Sequence, residues 1–107
     1  MTMRRDFTRT VSDRLRRDPA YARALLDEAA SLFLNGEPEA ARVTLRELVN
    51  ATVGFERLGE LAGRPPKSLH RMLSAAGNPS MDNLAAIFGA IRHELEVELR
   101  VRTINAA

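Results

Sequence analysis

Residues 55–74 read FERLGELAGRPPKSLHRMLS, and the spacing of their apolar residues predicts two short helices joined by a tight turn. Leu58, Leu61 and Ala62 stand at i, i+3 and i+4 on one helical face, and Leu69, Met72 and Leu73 repeat that spacing after the break. A glycine just past the last periodic residue, here Gly63, suits the left-handed conformation that ends a helix. Pro65 and Pro66 can open the next helix, where no amide donor is needed. At Gly59, four residues before the turn glycine, a side chain larger than a methyl would keep the second helix from lying across the first. These features predict a helix-turn-helix, the motif that sets its second helix in the DNA major groove with its N-terminal residues towards base edges. An ordinary helical hairpin shares the apolar pattern, so the polar residues must separate the two.

With Leu69 and Met72 inward, Lys67, Ser68, His70, Arg71 and Ser74 fall on the outer face or its flanks, with Arg64 in the turn and Arg57 on the preceding helix. No acidic residue falls between positions 61 and 81. Phosphate attraction and base readout require such basic and hydrogen-bonding side chains. The whole chain carries only +2, with sixteen basic and fourteen acidic residues. Its distribution is uneven: residues 1–18 hold six arginines against three aspartates, and residues 54–74 hold Arg57, Arg64, Lys67 and Arg71 against two glutamates. Residues 19–53 between them have an acidic excess.

At 107 residues the chain makes one small compact domain. We divide it into an N-terminal arm and helix (1–36), a helix-turn-helix core (37–92) and a C-terminal dimerisation strand with its tail (93–107). Phe7, Val11 and Leu15 recur every four residues among arginines and aspartates, which fits either a marginal amphipathic helix or a basic arm that orders on a partner. Asp18 and Pro19 form an N-cap and first helical position for a helix through Tyr21, Ala24, Leu25, Ala29, Leu32 and Phe33, stopping at Asn35-Gly36. Glu37-Pro38-Glu39 starts the next, with Ala41, Leu45, Leu48 and Val49 buried and an end near Thr52-Val53-Gly54. Residues 75–80, Ala-Ala-Gly-Asn-Pro-Ser, read as a loop from which Asn78 can reach a phosphate or close a local turn. Ser80 caps a last helix carrying Leu84, Ile87, Phe88 and Ile91.

Residues 94–102 then change period. Glu-Leu-Glu-Val-Glu-Leu-Arg-Val-Arg alternates polar and apolar, which puts Leu95, Val97, Leu99 and Val101 on one face of a strand. A helix would align Ile91, Leu95 and Leu99 but expose Val97 or Val101. A lone strand is unstable, so the expectation is pairing across a homodimer, or with a sheet edge of another protein.

Other chemistries find no support in the sequence. There is no cysteine for a disulfide or a thiolate metal site. His70 and His93 lack metal-ligand spacing, Glu94, Glu96 and Glu98 read as a solvated face, and no glycine-rich phosphate loop follows a strand. The expectation is therefore no enzyme, no metal and no cofactor. The longest nearly apolar run, Leu84 to Ile91, is too short to span a bilayer, and no apolar stretch of signal-peptide type follows the arginine-rich start. We accordingly expect a soluble, cytoplasmic protein.

The run Leu-Gly-Glu-Leu-Ala-Gly (58–63), then Lys-Ser-Leu-His-Arg-Met-Leu-Ser (67–74), then Gly-Asn-Pro-Ser (77–80) and a helix leading to a Leu-x-Val strand, resembles the addiction-module antidote proteins. These are HigA-like antitoxins and related regulators with a lambda-repressor-like helix-turn-helix. The resemblance covers residues 38–101 and, more loosely, the helix from Asp18. It implies a mostly α, compact helical bundle with a C-terminal strand paired across a dimer. It also implies an antitoxin that binds a palindromic operator in double-stranded DNA, represses its own operon and neutralises a ribonuclease toxin of RelE-like fold. By position, Lys67, Ser68, His70 and Arg71 match the base-facing and phosphate-facing part of the recognition helix, and Ser74 and Asn78 match the loop nearest the backbone. Pro65-Pro66 departs from the family pattern, where hydrogen-bonding residues are common, and Gly59 stands where alanine is commoner. The alternative is a protein-interaction module that keeps the fold as a scaffold without binding DNA.

Overall fold

A computed structural model of the chain describes residues 19–107. The expected N-cap Asp18 and the choice between helix and arm over residues 5–17 lie outside the described residues. The described residues form a mostly helical, compact structure of five helices: α1 (Pro19–Leu34), α2 (Pro38–Ala51), α3 (Gly54–Ala62), α4 (Pro66–Met72) and α5 (Met81–Leu95). None of these is long and apolar enough to cross a membrane.

Local chemistry accounts for the boundaries. Helix α1 ends where Gly36 takes φ +85° and the Glu37 amide reaches back to the Leu32 carbonyl at 2.8 Å, while the Asn35 side chain donates to the Ser31 carbonyl. Pro38 opens α2, and Thr52 closes it by donating its hydroxyl to the Leu48 carbonyl. Ser80 caps α5, accepting from the Asn83 amide at 3.1 Å, as its position after the loop predicts.

The core is a single apolar cluster. Leu26 of α1, Leu45, Leu48 and Val49 of α2, Leu58 of α3, Leu69 of α4 and Ile87 and Ile91 of α5 are all fully or almost fully buried, joined by Leu73. On α1 the buried stripe is Ala22, Leu26 and Ala29; Tyr21, Leu25, Leu32 and Phe33 are half-buried and Ala24 is exposed. The expected apolar side was therefore rotated from the true one. Helices α1 and α2 form the most extensive pair, and α3 packs against α2, α4 and α5.

The C-terminal strand is not supported. Helix α5 runs to Leu95, past the expected start of the strand at Glu94, and no strand occurs among the described residues. The chain leaves α5 through Glu96, which holds φ 55° while the Val97 amide donates to the Arg92 carbonyl at 3.1 Å. For Leu95 the four-residue spacing from Ile91 prevails over the two-residue alternation, because the α5 core face continues to it. Leu95, Val97 and Leu99 pack, half-buried, against the chain's own core, whereas Val101 is 77% exposed. A strand needs a hydrogen-bonded neighbour, and the fold of one chain provides none here.

Candidate nucleic-acid interface

The reversal between α3 and α4 is built on two glycines with different tasks. Gly63 adopts φ 69°, the left-handed conformation that glycine takes without a side-chain clash. The Gly59 carbonyl then accepts from both the Gly63 amide (2.9 Å) and the Arg64 amide (3.2 Å), which closes the end of α3. A Cβ on Gly59 would lie 2.8 Å from the Arg64 carbonyl oxygen and 3.1 Å from the Pro66 ring. Even alanine is too large at this position, which explains the glycine. Pro65 is extended, Pro66 is the first residue of α4, and the Leu69 amide donates to the Pro65 carbonyl.

Helix α4 turns Leu69 fully inward, with Leu73 just beyond its end, and Met72 half so. Lys67, His70 and Arg71 stand opposite at i, i+3 and i+4, all exposed, with Ser68 half-exposed on the flank. The His70 ring leans on Phe55 of α3, centroids 4.9 Å apart. The side chains of Lys67 and Arg71 form no hydrogen bond or ion pair among the described residues.

Three other expected contact residues, Arg64, Arg57 and Ser74, have partners within the fold. Arg64 donates from Nε to Asn83 Oδ1 and from Nη1 to the Ala62 carbonyl, both at 2.6 Å, tying the turn to the start of α5. Arg57 pairs with Glu60 at 3.2 Å and with Glu94 of α5 at 3.5 Å. The Ser74 hydroxyl donates to the Arg71 carbonyl at 2.7 Å. Asn78 is exposed in the loop between α4 and α5.

Two residues of α2 that sequence reasoning missed hold α4 from behind. Arg46 donates to the Leu73 carbonyl at 2.8 Å, and Arg42 donates from Nε to the Ser74 carbonyl and from Nη2 to the Ala75 carbonyl, each at 3.1 Å. Three carbonyls at the negative end of α4 thus receive two cations. One signal was present in the sequence. Arginines at i and i+4 repel on an isolated helix, so this pair on α2 asks for acceptors elsewhere. Replacing Arg46 by alanine leaves the Leu73 carbonyl without that partner. We expect a loss of about 1–2 kcal/mol in urea unfolding and faster hydrogen exchange at the amides of α4.

Among the described residues no cluster of three or more His, Asp or Glu could hold a metal ion. The chain matches no protein-family model, and neither a curated protein nor a solved structure is significantly similar to it.

Proposed function

We propose that the protein is a sequence-specific DNA-binding regulator of the cytoplasm that, as a homodimer, sets α4 into the major groove at each half of a palindromic operator. We propose further that it is the antitoxin of a toxin–antitoxin pair, repressing its own operon and neutralising a ribonuclease toxin.

One observation carries the DNA reading. On α4, Lys67 and Arg71 are exposed, share a face and have side chains without a partner among the described residues, with no acid from residue 61 to residue 81. A lysine and an arginine left unpaired on a helix face, while Arg42, Arg46, Arg57 and Arg64 all have partners, suit phosphate contacts and bidentate base contacts. Arg64 and Arg57 act in this reading as supports of the α3–α4 unit.

The antitoxin half rests on the resemblance of residues 38–101 and on a second surface suited to a protein partner. Leu34 at the end of α1 (57% exposed), Met81 at the start of α5 (81%) and Ile104 (76%) leave large apolar side chains in water. The same surface supports the alternative of an interaction module without DNA binding.

Fluorescence anisotropy with the DNA upstream of the coding region, at two salt concentrations, separates the two readings. The regulator shows saturable, sequence-selective binding whose log affinity falls with log salt by roughly 0.9 per phosphate contacted. Absence of selective binding at low salt favours the interaction module.

A further inference from the structure

Base recognition in the major groove divides by side-chain type. Asparagine and glutamine, which donate and accept, read adenine, which offers an acceptor beside a donor. Aspartate and glutamate accept from the cytosine amino group. Arginine and lysine only donate, and they read guanine, whose O6 and N7 are both acceptors. From Leu61 to Gly77, which takes in the end of α3, the turn, α4 and the start of the next loop, there is no asparagine, glutamine, aspartate or glutamate. The surface that the regulator reading sets in the groove therefore holds no amide side chain suited to adenine and no carboxylate suited to cytosine.

The basic side chains of that surface are not equivalent. Arg64 already donates to Asn83 and to the Ala62 carbonyl. The His70 ring leans on Phe55, which ties it to α3. Lys67 and Arg71 remain, exposed on one face, with side chains that have no partner among the described residues. Arg71 also stands on a fixed piece of backbone. Its carbonyl accepts from the Ser74 hydroxyl at 2.7 Å and from the Ser74 amide at 3.1 Å, and the carbonyls of Leu73, Ser74 and Ala75 accept from Arg46 and Arg42. A rigid base under an arginine lets its planar fork meet two acceptors of one guanine with less ordering on binding.

We propose that Lys67 and Arg71 each read a guanine, so that every operator half-site carries two G·C pairs set about two base pairs apart. The spacing follows from the helix, since four residues advance about 6 Å along its axis against about 3.4 Å per base pair. Donation to O6 and N7 of one base fixes both the pair and the strand that carries the guanine, because only guanine presents two acceptors there. Ser68, on the flank, donates or accepts and adds no preference of its own.

This inference rests on the regulator reading and names what that reading recognises. The purified protein selects binding sites from a pool of random duplexes. Each guanine of the enriched site is then replaced by 7-deazaguanine, which keeps Watson–Crick pairing but lacks the N7 acceptor. The expected half-sites share two guanines at that spacing, and replacing either lowers affinity by about tenfold. Single variants assign them. With Arg71→Ala one guanine loses its sensitivity to the replacement and the other keeps it, and Lys67→Ala gives the converse. Both side chains are exposed, so the variants fold, as circular dichroism checks. Enriched half-sites without guanine, guanines that tolerate 7-deazaguanine, or a sensitivity that neither variant removes overturns the inference while selective DNA binding stands. A pool from which nothing is enriched defeats the regulator reading itself, and the inference with it.

Discussion

Replacing Lys67 and Arg71 together with alanine is expected to weaken operator binding by roughly 2–6 kcal/mol, about a thousandfold at the middle of that range. The estimate rests on about 1–3 kcal/mol per lost contact, with the smaller figure for a phosphate and the larger for a bidentate base contact. Stability should change by less than about 0.5 kcal/mol, since neither side chain has a partner within the described fold and alanine is a good helix former. Binding at two salt concentrations tells the contacts apart: loss of a phosphate contact lowers the salt slope by about one unit and acts alike on all sequences. Loss of a base contact relaxes selectivity. Arg64→Ala and Arg57→Ala are expected to act in the other sense, lowering the unfolding midpoint first, because Arg64 ties the turn to Asn83 and Arg57 ties α3 to Glu94. Undiminished DNA affinity in the double variant would remove α4 as the reading helix.

The largest effect on folding is expected at Gly77. A Cβ there would meet the Met72 carbonyl oxygen at far less than contact distance, with the Met72 carbonyl carbon at 2.7 Å and the Arg71 carbonyl oxygen at 2.8 Å. All three are backbone atoms at the end of α4. They cannot yield unless the helix end moves, and Arg42 and Arg46 hold the adjoining Leu73–Ala75 carbonyls in place. Gly77→Ala is therefore expected to cost about 3 kcal/mol or more, a large part of the stability of a domain this size. Denaturant unfolding with far-ultraviolet dichroism measures it directly. A comparison with Gly89→Ala makes the test sharp, since a Cβ at that position meets nothing within 4 Å and alanine favours the helix. Equal stability of the two variants would show that the α4–α5 loop opens easily.

The helical plan was legible because its causes are local. Gly63 after Ala62, Pro66 at a helix start, Ser80 before Met81 and the Asn35-Gly36 stop act within a turn or two of themselves. The structure sets the element boundaries at those residues, with α2 beginning at Pro38. The buried positions Leu45, Leu48, Val49, Leu58, Leu69, Ile87 and Ile91 followed from a spacing that any amphipathic helix must keep. The exposure of Lys67, His70 and Arg71 followed from the same rule applied to the opposite face.

What the chain does with its arginines was not legible. Arg57, Arg64, Lys67 and Arg71 read alike in sequence as a basic group, yet the tertiary structure pairs the first two and, among the described residues, leaves the side chains of the last two open. It also recruits Arg42 and Arg46, 27 to 33 residues upstream of their acceptors, to the end of α4. The terminal residues diverged from expectation for a related reason. Alternation of polar and apolar side chains shows that 96–102 can be a strand, but pairing depends on a neighbouring backbone that its own sequence does not contain. Helix ends, turn glycines and core faces were thus determined by interactions spanning a few residues, which the sequence alone displays. Which cation stays free, which glycine has no room for a methyl and where the last residues rest were decided by contacts between distant residues, and those exist only once the helices have packed.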